Sequence, residues 1–448
     1  MKIAIIADDF TGANDSGVQF ARSGLKASVL LNFDENTAAA LDDDVVIIDT
    51  DSRSLGAQEA YDRVRTAAEY VKTKPFDVIF KKVDSTLRGN FGAEFDALQD
   101  VLQPNFIVCT PAYPEYNRTV RDGSLYLNGQ LLHETEFALD PKTPITISGI
   151  PELIRRQSER AVAQISSADM ALGHAHLKQR LAELAAEGCR YLVFDAQSEQ
   201  ELRGIVSLFE GLEYRIIWAG SAGLAGCLTT AGGTVHEAVL ELATSDAPVL
   251  AVIGSVNFKT RQQLALLLAE PQVAGIRLAA HVMVAPDAAC NAELKRVYAA
   301  AALALQQGRP VVLYSSGEQE EIKLAMEAGS KLGMGQTEVS DRIAEALGRT
   351  AAQLVEAYGL NRLILTGGDT AKQFCRFAGM EKFRLQGEVE TGVPIGLFSG
   401  AKEVYGVTKA GGFGSGDVFV RTLHLLQGGG GGSTPHPAGH NTVHSDRV

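Results

Sequence analysis

Cysteine is scarce. The chain has five in 448 residues, Cys109, Cys189, Cys227, Cys290 and Cys375, and no CxxC pair. That scatter argues against a zinc ribbon or a disulfide framework and suits a reducing cytoplasm. No stretch approaches the roughly 18 consecutive apolar residues that a membrane span needs. No basic segment leads into a cleavable apolar stretch at the start, so no signal peptide is expected. The P-loop pattern GxxxxGK[ST] is missing as well. Cations are outnumbered, with 41 Lys and Arg against 54 Asp and Glu, a net charge of −13. Nucleic acid and anionic membrane are therefore poor partners, although a local cationic cluster could still hold a small anion. Hydrophobic residues at 46% exclude global disorder. A chain of this length is comfortable for two domains.

What is present begins with MKIAIIADDFTGANDSGVQF. An apolar run, Ile3 to Ala7, stops at Asp8 and Asp9. Phe10, Thr11, Gly12 and Ala13 follow, then Asn14, Asp15 and Ser16, and hydrophobic spacing resumes at Val18. The pattern predicts a buried parallel strand, a polar turn and a helix. Ligands of open α/β sheets bind at the carboxyl ends of the strands. Two acids and a Thr-Gly step placed there point to a substrate or metal site more than to a helix cap, for which one acid would serve.

The same alternation runs through the chain. Strands are expected at 27–31, 45–48, 77–80, 106–109, 191–195 and 215–218, with helices at 56–72, 151–165 and 174–187. Residues 124–148 read as an irregular excursion, a lid or a hairpin. A second α/β pattern has strands at 249–253, 311–314, 363–365, 387–398 and 403–407. Its helices fall at 259–268, 289–307, 337–358 and 417–426. The expected fold is α/β: two α/β domains, each with a largely parallel sheet flanked by helices, and an active site in the cleft between them. The expected boundaries are residues 1–230 for a substrate domain, 231–248 for a linker and 249–427 for a nucleotide domain. Residues 428–448, rich in Gly and polar residues, read as a disordered tail.

Strand ends in the first half carry Asp8/Asp9/Thr11, Asp51/Ser52/Arg53, Lys81/Lys82/Asp84/Ser85/Thr86/Arg88 and Tyr113/Asn117/Arg118. If the sheet is parallel, they converge on one crevice. Cations, carboxylates and hydroxyls together suit a small polyhydroxylated anion, with Arg and Lys on its carboxylate and Asp and Ser on its hydroxyls. Of two adjacent lysines, Lys81 and Lys82, at least one should face inward. In the second half, TGGDTA (Thr366 to Ala371), Gly254-Ser255 and KAGGFGSG (Lys409 to Gly416) place glycines at strand ends. Backbone N–H groups at such turns can hold phosphate. Three turns of this kind point to a nucleotide, while the spacing does not fit a dinucleotide fold.

ADDFTGANDSGVQ, KKVDSTLRGN, TGGDTA and KAGGFG together resemble the four-carbon acid sugar kinases over about residues 1–425. GANDSGVQ is more similar to the members that act on D-threonate than to the 3-oxo-tetronate members, whose motif reads ADDFTGATD. The resemblance implies an N-terminal acid-sugar domain, a C-terminal nucleotide domain and ATP-dependent phosphorylation of the terminal hydroxyl. It implies substrate contacts at Asp9, Arg53, Lys81, Lys82, Val83 and Asp84. It implies ATP contacts at Ser255, Gly367, Gly368, Asp369 and Thr370, and around Gly411 and Gly412.

On this reading Arg53, with Lys81 or Lys82, holds the substrate carboxylate, and Asp9 or Asp84 accepts or orients the hydroxyl proton. Mg²⁺ bridges the phosphate oxygens and takes few protein ligands, none of which the sequence identifies. Asp9 is expected to bind a hydroxyl or a proton, and Asp8 to point to the opposite face of the strand. Hinge closure is expected to expel water. The expected partners are the sugar acid and ATP, and self-association is left open. One rival is a metal-dependent sugar-acid phosphate hydrolase or lyase using Asp8 and Asp9. The other is a non-catalytic sugar-acid sensor.

Overall fold

A computed structural model describes residues 1–31, 33, 42–139, 144–228, 245, 247–285 and 287–428. Most of the expected linker 231–248, and the tail beyond Gly428, lie outside the described residues. Among the described residues, no helix is long and apolar enough to cross a membrane.

The first strand, β1 (Ile3–Ala7), is wholly buried. It pairs in parallel with Val45–Asp49 on one side and Val78–Lys82 on the other. Continuous apolar runs of this kind need cover on both faces, which is why they read without alternation. The register sets Ala7 opposite both Asp49 and Lys82. Further along, Lys82 lies opposite Gly220, and Gly220 opposite Thr110. Asp8, Asp49, Lys82 and Thr110 thus share one sheet rim.

The chain leaves β1 through Asp9, whose extended backbone and side chain cap helix α1 (Phe10–Arg22). Asp9 Oδ1 accepts from Gly12 N at 2.8 Å. Here the carboxylate fills an orphan donor of the first helical turn.

The two expected sheets are continuous. One sheet of 15 strands contains five parallel strands of the C-terminal half, two antiparallel strands, and eight parallel strands of the N-terminal half. The antiparallel pair is the hairpin Met380–Glu390 and Val393–Gly400. Its first strand pairs with Ala27–Leu30, and its second with Glu403–Lys409. The two parallel blocks therefore run in opposite directions. Six strand-to-strand steps separate β1 from Arg362–Thr366. At about 20–25° of twist per step, aided by bulges in Met380–Glu390, the carboxyl-end rims turn toward each other.

In the C-terminal block, Ile253 lies opposite Thr366, and Thr366 opposite Lys409. The glycine turns that follow these strands share a rim in their turn. Expectation and structure differ in a few places. Residues 151–165 split into a helix, Ile150–Gln157, and a strand, Val162–Ile165. The strand Ala274–Leu278 and the helix Gln319–Lys331 were not anticipated. The 124–148 excursion contributes to a small three-stranded antiparallel sheet with Arg118–Arg121.

Phe383 occupies the seam between the blocks. It is fully buried, stacks on Phe398 at 4.0 Å between ring centroids, and lies 6.4 Å from Phe10. Truncating such a ring leaves a cavity among neighbours that cannot all collapse. Phe383→Ala should cost about 3–5 kcal/mol, measured as a lower chemical-denaturation midpoint, with Phe383→Leu losing clearly less. A midpoint unmoved by the alanine would show that the seam does not stabilise the fold.

Candidate active site

Arg53 ties the end of β1 together. Its Nε donates to Asp8 Oδ2 at 2.8 Å and its Nη2 to Asp8 Oδ1 at 2.9 Å. The same Nη2 reaches Asp9 Oδ1 at 2.6 Å. Burial alone would push the Asp8 carboxyl up, but Arg53, Lys81 and Lys82 outweigh it and hold the group below the usual carboxylate range. Both acids meet one guanidinium, although their strand positions predict opposite faces. Asp9 has already left the strand for the helix cap. The fork expected to clamp a substrate carboxylate is occupied by the chain's own carboxylates.

The two lysines that follow part company. Lys81 is fully buried and pairs with Glu94 at 2.8 Å. Glu94 sits on the helix Phe91–Leu102 and also accepts from Ser52 Oγ at 2.6 Å. Lys82 points to the α1 side. Its Nζ donates to Val83 O at 2.9 Å, and among the described residues no carboxylate lies within ion-pair distance of it. Lys82 Nζ and Asp9 Oδ1 each lie within 3 Å of where a Cβ on Gly12 would stand. A side chain at 12 would fill the space they flank. Val83 is buried and bonds to the adjacent strand through Gly220 O at 3.0 Å.

Asp84 is enclosed by its own loop. Arg88 Nε donates to Oδ2 at 2.6 Å, Arg88 Nη2 to Oδ1 at 3.3 Å and Thr86 Oγ1 to Oδ2 at 2.5 Å. Burial opposes ionisation, yet Arg88 and Arg53 hold this carboxyl well below its ordinary range. A carboxylate this saturated is a poor proton acceptor. Arg118 comes in from the small three-stranded sheet. It donates to Ser85 Oγ and lies 5.8 Å from the rings of both Tyr116 and Phe413. Its Nε is buried without an acceptor, and burial lowers its pKa.

In the C-terminal half the three glycine turns pack on one another. A Cβ on Gly254 would stand 1.9 Å from Thr370 Oγ1, one on Gly367 3.4 Å from Ser255 N, and one on Gly411 2.7 Å from Ser255 Oγ. The helix Gly368–Phe377 starts at Gly367 with no side-chain cap, and Asp369 falls in its first turn. Its leading N–H groups are thus free of a capping side chain, as a phosphate site requires.

The 410–415 loop is held by its carbonyls. Lys409 Nζ donates to Ala410 O at 2.7 Å, Gly411 O at 3.2 Å and Phe413 O at 3.2 Å. Thr260 Oγ1 also donates to Gly411 O, at 2.8 Å. Gln263 Nε2 reaches Phe413, Gly414 and Ser415 O at 3.0, 3.1 and 2.8 Å. With the carbonyls drawn inward, the N–H groups of Gly411, Gly412 and Gly414 meet no acceptor among the described residues. Such a run of outward amides is a nest for an anion. Burial draws the Lys409 ammonium down to about 7. Thr260 and Gln263 lie outside every glycine motif and could not be found from sequence pattern.

The two halves meet at these groups. A Cβ on Gly368 would lie 3.4 Å from Thr11 Oγ1. Asn14 Nδ2 donates to Thr408 Oγ1 at 3.1 Å, and Tyr116 OH to Thr391 O at 2.8 Å. Lys372 pairs with Asp49 at 3.3 Å and with Asp51. Those two acids raise the pKa of Lys372 against the effect of burial, while burial pushes Asp49 up to about 6. A cleft of about 570 Å³ opens beside this pair, lined among others by Thr50, Asp51, Asp369 and Lys372. Among the described residues no group of three or more His, Cys, Asp or Glu side chains is arranged to hold a metal.

Two family models match the chain. Residues 3–228 match a sugar-binding N-terminal domain, and residues 250–419 a nucleotide-binding C-terminal domain. A D-threonate kinase of Salmonella typhimurium is 34% identical, covering 95% of this chain and 99% of its own. A second D-threonate kinase, from Bordetella bronchiseptica, is 33% identical over 95% of this chain and 97% of its own. A D-erythronate kinase of Heliobacterium modesticaldum is 29% identical over the same two shares. Among solved structures, a Salmonella typhimurium protein described as a candidate tRNA synthase superposes with a TM-score of 0.78. It is 25% identical and covers 95% of this chain and 100% of its own.

The Asp84–Arg88 pair makes a pH prediction. A carboxyl whose folded pKa is depressed adds stability that is fully present above its unfolded value of 3.8 and is lost as pH falls through the folded value. Arg88→Met should therefore destabilise the protein at neutral pH. Its deficit against wild type should shrink as the pH is taken well below 3.8. Denaturation midpoints of the two proteins across that range test this, and a constant deficit would contradict it.

Proposed function

The chain belongs to the four-carbon acid sugar kinase family, and we propose that it transfers the γ-phosphoryl group of ATP to the terminal hydroxyl of D-threonate. The observation that carries this reading is the apposition of two unlike rims. One presents Lys82 and Arg118 with no carboxylate at ion-pair distance among the described residues, beside Asp9. The other presents the uncapped helix start at Gly368 and the amides of Gly411, Gly412 and Gly414. Where the rims meet, Thr11 Oγ1 lies 3.4 Å from where a Cβ on Gly368 would stand. An acid sugar fits the first and a polyphosphate the second.

We divide the work at the 231–248 stretch, with residues 1–230 holding the acid and 249–427 the nucleotide. Lys82 and Arg118 take the substrate carboxylate. Arg53 and Lys81 act one step back: Arg53 fixes Asp8 and Asp9, and Lys81 fixes Glu94. Asp9 Oδ2, which receives no hydrogen bond among the described residues, accepts from a substrate hydroxyl. Val83 O anchors the Lys82 ammonium, and Asp84 holds Arg88 and the loop around Ser85.

In the other half, Ser255, Gly367, Gly368, Asp369 and Thr370 surround one phosphate position, and Gly411 and Gly412 another. Catalysis is then mainly positioning and charge neutralisation. Mg²⁺, carried in on ATP, would neutralise charge on the phosphate oxygens while keeping most of its waters. All five cysteines are free thiols, which suits a cytoplasmic enzyme.

Incubation with ATP, Mg²⁺ and a panel of D-threonate, D-erythronate and 3-oxo-tetronate, followed by ADP release, tests the reading. D-threonate should give the highest kcat/KM. Preference for either of the others moves the assignment within the family, and phosphate release without nucleotide favours the hydrolase. Lys82→Met should raise the KM for the acid about ten- to hundredfold, the value of a charged hydrogen bond, with the KM for ATP little changed. An unchanged KM for the acid would remove Lys82 from the carboxylate site.

A further inference from the structure

Asp15 lies on α1, two turns from the β1 rim, and nothing in the fold accounts for its charge. Neither of its carboxylate oxygens receives a hydrogen bond from any described residue, and Oδ1 is buried. Leaving a polar atom buried and unpaired costs stability. A helix surface could have avoided that cost with an alanine. The side chain lines a small cavity between the halves, together with Thr11, Pro394, Thr408 and Phe413. This cavity adjoins both rims: Thr11 lies beside the Gly368 turn, its Oγ1 3.4 Å from where a Cβ there would stand, and Phe413 belongs to the loop of unpaired amides.

The charged and titratable groups around Asp15 come from several elements. Lys82 faces it from its strand and Arg118 from the small three-stranded sheet, with Asp9 at the cap of its own helix and Glu115 on the turn before Arg118. Glu388 approaches from the long hairpin strand, and the phenols of Tyr113 and Tyr116 are close by. The other acids near the acid-sugar site are engaged. Asp84 is saturated by Arg88 and Thr86, Asp8 is taken by the Arg53 fork, and Asp9 has a single oxygen left.

We propose, resting on the kinase reading above, that Asp15 is the general base for the attacking hydroxyl. The hydroxyl oxygen forms its bond to the γ-phosphorus as the bond from that phosphorus to the bridging oxygen breaks. The electron pair of the broken bond leaves with ADP. The hydroxyl proton passes to an oxygen of Asp15 and from there to solvent. Lys82 and Arg118 orient the acid so that its far end reaches Asp15. Burial pushes the Asp15 carboxyl up to about 6, with Lys82 and Arg118 pulling against it. It is therefore ionised at neutral pH yet basic enough to accept a proton.

The test compares wild type with Asp15→Asn, using ATP, Mg²⁺ and D-threonate. The variant should lose about 100-fold or more in kcat with both KM values little changed. Wild-type kcat should fall on the acid side of about pH 6, and the residual activity of the variant should lack that limb. Asp15→Asn should also be at least as heat-stable as wild type, because it removes a half-buried charge that receives no hydrogen bond from the described residues. Glu115→Gln should keep the limb and move it to lower pH, since a neighbouring negative charge is gone. Near-normal kcat in Asp15→Asn, or the same acid limb in the variant, overturns the assignment. A lower melting temperature accompanying lost activity also overturns it, in favour of a structural role. If wild type releases no ADP with any four-carbon acid, the kinase reading itself fails.

Discussion

One guanidinium between two adjacent carboxylates fixes the centre of this molecule. Arg53 holds Asp8 with two hydrogen bonds and Asp9 with a third. Asp8 ends the central strand and Asp9 starts the helix that crosses the seam, so the ion cluster sets the angle between them. A buried ion pair of this sort gives little net stability, but breaking one partner leaves an uncompensated charge. Its return here is geometric. It leaves the Asp9 carboxylate and the Lys82 ammonium flanking one small space beside Gly12.

That geometry has value only because the far half of the chain arrives opposite it. The hairpin 380–400 reverses the direction of the sheet, and accumulated twist then turns the second carboxyl-end rim toward the first. Thr11 against Gly368, Tyr116 against Phe413, and Lys372 between Asp49 and Asp51 mark where the two meet. The anion-binding side is preset in a different way. Lys409, Thr260 and Gln263 draw the loop carbonyls inward, which leaves the amides outward with no acceptor among the described residues. Positive character on both rims is needed because acid and polyphosphate both bring negative charge into a chain that is itself acidic.

Much of this is legible in the residues. The apolar run ending in Asp8 and Asp9 announces a central strand and a capped turn, and the strand-end clusters mark one rim correctly because parallel pairing aligns them. What the sequence hides is who pairs with whom. Lys81 and Glu94 meet only because a helix folds back over its own strand, so the lysine that looks available is internal. Arg53 looks like a substrate clamp until Asp8 and Asp9 are seen to occupy it. The continuity of the sheet depends on the Lys382–Leu385 pairing with Ala27–Leu30, a contact between distant segments that no local periodicity encodes. Asp15 sits in plain view inside the opening motif, but its lack of partners is a property of the packed structure alone.

The central claim is that the two rims deliver phosphorus to the far end of a four-carbon acid. Phosphorus NMR of the product, recorded with proton coupling after turnover of ATP and D-threonate, tests it most directly. The account predicts a new monoester signal split by the two methylene protons of the terminal carbon. A doublet, which would place the ester on an inner carbon bearing one proton, would contradict it, as would a lone signal of inorganic phosphate.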